Sequence, residues 1–103
     1  MPVSNFIPSL DDPHNIDLEI QINGITKQKG NTKDFIFTIP QMLVYISQYI
    51  TLLPGDLILT GTPAGVGPVQ NGDKVLATLK ENGQEKARLE KLVNLQSFEE
   101  AKL

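Results

Sequence analysis

The sequence contains no cysteine, which excludes disulfide bonds and thiolate zinc sites. It has no run of basic residues either: 9 Lys and Arg stand against 12 Asp and Glu, a net charge of −3. Nucleic acid is therefore not an expected partner. The longest apolar stretch is interrupted at Ser47, Gln48 and Thr51, far short of the ~20 residues that cross a bilayer. The start of the chain lacks the features of a signal peptide, so we expect a cytoplasmic protein without membrane contact.

The remaining composition fits one small domain or a portion of a larger one, with 103 residues of which 40% are apolar and 20% charged. Turn signals divide the chain into an extended entry segment over residues 1–17, a β-rich core over 18–93 and a tail over 94–103. Two Asn-Gly pairs, at positions 23–24 and 82–83, predict hairpin turns because both residues tolerate positive φ. Alternating apolar residues predict the flanking strands, and these residues are Leu18, Ile20, Ile22, Ile25, Val75, Ala77 and Leu79, with the last strand over 87–93.

One helix is predicted, over about residues 39–51. Thr38 is a suitable N-cap, Pro40 falls in the first turn, and Gln41 stands where a capping box requires it. Apolar residues follow at helical spacing, namely Met42, Leu43, Ile46, Tyr49 and Ile50. The predicted fold class is therefore mixed and mainly β, with one amphipathic helix.

A loop rich in glycine and proline follows a further predicted strand, Leu57 to Leu59, in the stretch LILTGTPAGVGP. Successive small residues can turn their amides toward one point and bind an anion, and Thr60 and Thr62 add hydroxyl donors on either side of Gly61. Glycines here, including Gly65, let a ligand approach the backbone. The spacing fits neither the P-loop nor the dinucleotide fingerprint. On these residues alone, a loop that only connects strands remains the alternative.

The stretch GDLILTGTPAGVGP, followed by GDKV, resembles the signature of the fumarylacetoacetate hydrolase superfamily. The likeness is to its branch of acylpyruvate hydrolases, oxaloacetate decarboxylases and 2-hydroxyhepta-diene-dioate isomerases. PVSNFIP, NGITKQKGNT and FIFTIPQMLVYISQYITLLPGD are similar to the entry segment, hairpin and helix of that family, so the resemblance covers about residues 2–93. Asn31 and Thr32 resemble the hairpin end near the active site, whereas the following Lys-Asp-Phe departs from a more usual Ser-x-Met, which leaves the substrate range open.

The resemblance implies a mixed β-roll that forms homodimers and carries one Mg²⁺ or Mn²⁺ per subunit, which chelates a 2-oxo acid or 1,3-diketone. In this family the threonine of Gly-Thr-Pro binds the substrate carboxylate. Carried over, this residue is Thr62, and the substrate-binding residues we expect are Thr62, Gly61, Thr60 and Gly65.

The family's metal ligands are a Glu-x-Glu pair and a later Asp, and these precede its PVS segment together with a His-Glu lid and an essential Lys. No Glu-x-Glu occurs in the 103 residues. We therefore expect the metal ligands and catalytic residues to lie upstream, this chain to be the C-terminal portion of a domain about twice as long, and the 103-residue chain to be inactive alone. A transit peptide upstream would make the protein mitochondrial.

Two functional hypotheses follow. The first is the substrate-binding half of a metal-dependent hydrolase, decarboxylase or isomerase that acts on acylpyruvates or related 2-oxo acids. The alternative is a non-catalytic, β-rich module, a degenerate family member that binds a ligand or associates through its open sheet edges.

Other polar and aromatic residues have simpler interpretations. Four clustered residues could ligate a metal but fit a solvated turn with local side-chain capping better, namely Asp11, Asp12, His14 and Asp17. Asp56 and Asp73 each follow a glycine and are expected to bond a nearby backbone N–H. Core or dimer packing is the expected role of the aromatic residues Phe35, Phe37, Tyr45 and Tyr49.

Overall fold

A computed structural model of the chain describes Val3 and residues 9–94. Four strands form one antiparallel sheet in the order β2-β1-β3-β4, with one α-helix and a long loop beside it. The predicted class, mainly β with one helix, is confirmed. The elements are β1 (Asp17–Ile22), β2 (Ile25–Asn31), a 3₁₀ helix (Thr32–Asp34), α1 (Ile39–Ser47), β3 (Lys74–Glu81) and β4 (Gln84–Leu92). Residues 95–103 of the predicted tail, and most of the first eight residues, lie outside the described part.

Both hairpins form at the predicted turns. Asn23 and Asn82 have φ of 52° and 53°, so each occupies the left-handed region that an Asn-Gly turn needs. The first turn is also tied to the start of β3, because the Asn23 amide donates to Asp73 Oδ1 at 2.9 Å and its Oδ1 accepts the Lys74 N–H at 2.9 Å. The β1–β2 hairpin is thereby fixed to the strand that follows the glycine-rich loop.

A bulge in β2 changes which side chains share a face of the sheet. Ile20 pairs with Gln28 and Gln21 pairs with Thr26, so Lys27 is an extra residue between them. Side chains along β2 therefore stop alternating strictly between the two faces of the sheet at Lys27. The bulge places Gln28 beside Ile20, on the face that also carries the apolar residues Leu18, Ile22, Val75, Ala77 and Leu79.

The entry segment is held to the sheet by a buried carboxylate at the end of β3. Glu81 is only 3% exposed and accepts the backbone N–H groups of Asp11 and Asp12 at 3.0 and 2.8 Å. These hydrogen bonds, with the one from Asp12 the stronger influence, lower the pKa of Glu81 from its ordinary value of 4.5. The negatively charged form of Glu81 is therefore the form that fixes the segment.

Thr32 makes a second attachment of the same segment. Its buried hydroxyl accepts the Ile16 N–H at 3.0 Å and donates to the Pro13 carbonyl at 2.7 Å. Ile16, 2% exposed, is the only buried apolar residue in the described part of the chain. The core is thus small and lies where the entry segment crosses the end of β2.

The helix begins as predicted and ends earlier. Thr38 accepts the Gln41 N–H and Gln41 Oε1 accepts the Thr38 N–H at 2.9 Å, which completes the capping box. α1 ends at Ser47, not near residue 51, and Ser47 Oγ donates to the Val44 carbonyl, a local bond that competes with continued helix. The imidazole of His14 also holds the first turn, since its Nε2 accepts the Ile39 N–H at 3.0 Å.

The strand predicted at Leu57 to Leu59 does not form within the described residues. No strand of the sheet lies beside this run, and a strand without a hydrogen-bonded neighbour is not stable. The side chains are largely exposed, at 66% for Leu57 and 80% for Leu59. Of the aromatic residues expected to pack in the core or at a dimer interface, Phe37, Tyr45 and Tyr49 are exposed, so these three do not pack in the core of the described chain; packing in a dimer stays a prediction. No helix in the described part has the length and apolar character to cross a membrane.

Candidate carboxylate-binding site

A cavity of about 380 Å³ lies between the end of β2, the start of α1 and the glycine-rich loop. Its lining consists of residues 30–32, 34–37 and 60–63 together with Leu18 and Met42. Three of the four predicted substrate-binding residues, Thr60, Gly61 and Thr62, are therefore in this lining. They share this lining with Asn31 and Thr32 at the end of the hairpin, and the resemblance also implies that this hairpin end lies near the active site.

Thr62 is held by a side chain from β2. Gln28 Nε2 lies 2.8 Å from Thr62 Oγ1 and 2.6 Å from the Pro63 carbonyl oxygen. The two hydrogens of one amide group thus serve two acceptors on adjacent loop residues. Within the described residues no acceptor takes the hydrogen of the Thr62 hydroxyl, which leaves it available for a ligand.

The backbone at Gly61 offers further donors. Gly61 has φ of 98°, a conformation that residues with a Cβ rarely adopt. In the described part of the chain, the N–H groups of Gly61 and Thr62 have no hydrogen-bond acceptor. Gly61 and Thr62 both line the cavity, so these two amides and the Thr62 hydroxyl are candidate donors to a carboxylate.

Gly65 lies elsewhere, against the bulge of β2. A Cβ at this position would stand 2.1 Å from the Lys27 carbonyl oxygen, so only glycine fits. Gly65 is not in the cavity lining, and its close approach is to the strand, not to the cavity. Pro63 packs in a similar way on Gly30, where a Cβ would stand 3.0 Å from Pro63 Cβ. The loop thus packs on β2 at two contacts, and each contact needs a glycine: Gly65 in the loop and Gly30 in the strand.

The opposite wall of the cavity is largely apolar but carries one acid. Phe35, Ile36, Phe37 and Met42 supply the apolar part and Asp34 the carboxylate. No lysine or arginine is among the described residues that line the cavity. Neutral donors at Thr62 would therefore bind one carboxylate, while Asp34 would oppose a second negative group nearby.

The acidic residues considered as metal ligands have local partners. Asp12 Oδ1 accepts the His14 N–H, His14 Nε2 accepts the Ile39 N–H, and Asp17 accepts the Asn31 amide. The described residues contain no group of three or more His, Cys, Asp or Glu placed to hold a metal ion. A divalent metal of the kind the resemblance implies does not fit these side chains.

The two aspartates that follow glycines behave as predicted. Asp56 Oδ2 accepts the Leu53 N–H and Asp73 Oδ2 accepts the Gln70 N–H, both at 2.8 Å. The Gln70 N–H first, and then the Asn23 amide, lower the pKa of Asp73 from its ordinary value of 3.8. Both carboxylates stabilise turns and neither lines the cavity.

Neither Gln28 nor Asp34 was expected at the site from the sequence. Gln28 was part of the stretch QKGNT that carried the resemblance, but its role depends on a partner 34 positions away. Asp34 was visible only as a departure from the family pattern.

The fold and this site define a glycine-rich loop packed on an antiparallel sheet, with a cavity beside it. The family model described as fumarylacetoacetate (FAA) hydrolase C-terminal matches residues 1–94. The chain therefore belongs to the fumarylacetoacetate hydrolase family, as its sequence indicated.

Similar proteins include enzymes that act on small oxo acids. "Oxaloacetate tautomerase FAHD1, mitochondrial" of Bos taurus is 49% identical over 78 residues, which is 74% of this chain and 35% of that protein. "Oxaloacetate decarboxylase, mitochondrial" of Dictyostelium discoideum is 50% identical over 76 residues, or 72% of this chain and 35% of the relative. The chain thus spans about a third of the length of these relatives.

A solved structure shows the same fold. The crystal structure of maleylpyruvate hydrolase from Sphingobium sp. SYK-6, in complex with manganese(II) ion and pyruvate, superimposes with a TM-score of 0.75 at 36% identity. The match covers 82% of this chain and 31% of that one. The mainly β architecture described above is therefore that of the family.

Proposed function

We propose that this chain is the substrate-binding portion of an enzyme that cleaves, decarboxylates or isomerises a small 2-oxo acid or acylpyruvate. Thr62 and the amides of Gly61 and Thr62 hold the carboxylate of the substrate, with Thr60 beside them. The observation that carries the proposal is the set of unpaired donors at one end of an apolar cavity. Related proteins named for oxaloacetate and maleylpyruvate support this substrate class.

The donors suit a carboxylate because they are fixed before the ligand binds. The Thr62 oxygen is held by Gln28 at 2.8 Å, and Gly61 sets the direction of the neighbouring amides. Binding of a ligand then costs less free energy, because the donors do not have to be ordered first. The apolar wall at Phe35 and Met42 would exclude water from the rest of the substrate.

The proposal also covers the rest of the protein. Mg²⁺ or Mn²⁺ would be bound by residues outside this chain, and its chemistry would be stabilisation of enolate charge. The chain would be the C-terminal portion, residues 1–103, of one catalytic domain in a homodimer. The cytoplasm or, with a transit peptide, the mitochondrion would be its compartment.

The test is the Thr62→Val variant of the protein expressed from its complete reading frame, assayed with oxaloacetate and acetylpyruvate in the presence of Mg²⁺ or Mn²⁺. Valine keeps the shape of threonine and removes the hydroxyl donor. The expected fall in kcat/KM corresponds to a loss of about 1–3 kcal/mol of binding free energy. Thr51→Val is the matched control, since Thr51 is exposed and outside the cavity lining. Equal kcat/KM for Thr62→Val and the parent would refute the role of Thr62.

The alternative, a non-catalytic module, predicts a different result. Such a protein would bind pyruvate at the Gly61 and Thr62 amides in an NMR titration and would turn over neither substrate. Association through β4 is disfavoured by the charges along this edge strand, which are Glu85, Lys86, Arg88, Glu90 and Lys91.

A further inference from the structure

We infer that Gln28 is a positioning residue that fixes the direction of the Thr62 hydroxyl, so that this hydroxyl donates to the substrate carboxylate. The inference rests on the proposed role of Thr62 and adds a second residue, on a different element, to the same site. Gln28 itself does not line the cavity. It acts only through the loop.

The Pro63 carbonyl determines how the Gln28 amide is oriented. A carbonyl oxygen can only accept a hydrogen bond, and it lies 2.6 Å from Gln28 Nε2. If the amide were turned over, its own oxygen would face the Pro63 oxygen and the two would repel. The NH₂ group is therefore the end that faces the loop.

The same nitrogen reaches Thr62, which decides the role of the hydroxyl. Gln28 Nε2 is 2.8 Å from Thr62 Oγ1, so the Thr62 oxygen must accept. A hydroxyl that accepts one hydrogen bond still has its own hydrogen to donate. No acceptor among the described residues takes that hydrogen, and Thr62 lines the cavity, so the hydrogen is left for a ligand bound there.

The bulge in β2 makes this contact feasible. Regular pairing continued from Ile22 and Ile25 would set Gln28 opposite Glu19, on the other face of the sheet. The extra residue Lys27 shifts the register, and Gln28 instead pairs with Ile20. Bulges commonly redirect a side chain in this way, and here the redirected side chain faces the loop.

Two close glycine contacts keep the loop within reach of Gln28. Gly65 lies against the Lys27 carbonyl and Pro63 lies on Gly30. These contacts bracket Gln28 along β2, so Thr62 cannot move away from the amide without losing them. The strand, the bulge and the loop therefore act together to fix one hydroxyl.

The test is a double-mutant cycle of Gln28→Leu and Thr62→Val in the protein expressed from its complete reading frame. Gln28→Leu removes the hydrogen bonds to Thr62 and Pro63 and is expected to lower kcat/KM about fivefold to tenfold, mainly through KM. In the Thr62→Val background the same change should cost less than about twofold, because the hydroxyl on which Gln28 acts is already absent. A merely structural role predicts equal costs in both backgrounds.

A second variant reverses the hydrogen bond. In Gln28→Glu the ionised carboxylate can only accept, so the Thr62 hydroxyl would donate to it and turn away from the substrate. We expect a larger loss in kcat/KM than for Gln28→Leu. Gln21→Leu is the matched control, since Gln21 lies on β1 and bonds Glu19 on the opposite face, and it should stay within about twofold of the parent.

The outcomes separate the two proposals. An effect of Thr62→Val without any effect of Gln28→Leu, or equal costs of Gln28→Leu in both backgrounds, overturns the role of Gln28 and leaves the proposed function intact. No effect of Thr62→Val overturns both.

Thermal unfolding of each variant shows whether it is folded, and side-chain amide NMR of Gln28 adds a readout without catalysis. Both amide protons should be hydrogen-bonded in the parent, and one should be released in Thr62→Val. Two unbonded protons in the parent would contradict the assignment.

Discussion

The Cα of Gly65 lies so close to the backbone of Lys27 that a Cβ would stand 2.1 Å from the Lys27 carbonyl oxygen. Gly65 also has φ of 104°. Gly65 belongs to the glycine-rich loop and Lys27 to the bulge of β2, so their contact is where this loop meets the sheet.

Replacement of Gly65 by alanine is expected to release the loop. The backbone would have to move by more than an ångström, and the positive φ alone costs about 1–3 kcal/mol. The measurement is the NMR signal of the Gln28 side-chain amide protons, which should no longer be hydrogen-bonded. Gly67→Ala is the matched control, because nothing lies within 4 Å of a Cβ there. Similar spectra for the two variants would contradict the docking contact.

Acid is expected to weaken the attachment of the entry segment. The pKa of Glu81 in the folded chain is below its ordinary value of 4.5 because it accepts two backbone N–H groups. Its contribution to the free energy of unfolding is therefore complete above pH 4.5 and is lost as the pH falls through the folded pKa. Thermal unfolding of the parent and of Glu81→Gln should differ at neutral pH and converge in acid. A difference that does not change with pH would contradict this account.

The two Asn-Gly turns are expected to respond differently to glycine. Glycine accepts positive φ, so Asn82→Gly should be nearly neutral. Asn23→Gly also removes the bonds to Asp73 and Lys74, and a loss of about 1 kcal/mol in the free energy of unfolding is expected. Chemical denaturation of both variants measures the difference. Equal stabilities would show that the Asn23 bonds do not contribute.

Asp34 is expected to limit the substrate range. If a substrate carboxylate binds at Thr62, a second carboxylate would lie in the same cavity as Asp34. Asp34→Asn should raise kcat/KM for oxaloacetate relative to acetylpyruvate by about twofold to fivefold, the scale of a partly screened charge pair. Asp11→Asn is the control outside the cavity. An unchanged ratio of the two substrates would show that Asp34 has no part in selection.

Local signals predicted the elements whose partners are close in the chain. The Asn-Gly pairs set both hairpins, and Thr38 with Gln41 set the first turn of the helix, because all the atoms involved lie within a few residues. The end of the helix was predicted about four residues too late, because Ser47 only weakly interrupts the apolar pattern that continues to Ile50.

Long-range contacts could not be predicted in the same way. The run Leu57 to Leu59 has strand composition, but composition does not show which neighbour it pairs with, and in the described sheet it has none. Gln28 and Thr62 are 34 positions apart, and their contact depends on a bulge that the pattern around Lys27 did not indicate. The resemblance identified Thr62, whereas only the structure identified its partner.

The unpaired run at Leu57 to Leu59 also affects how the chain will behave at high concentration. Leu57 and Leu59 are mostly exposed, and an exposed, uncharged apolar run without a hydrogen-bonded neighbour can pair with the same run of another chain. β4 is protected from this by its Glu, Lys and Arg side chains. When the chain is purified alone, we therefore expect precipitation to start at residues 57–59, just before the glycine-rich loop, and a charged residue in place of Leu59 to delay it.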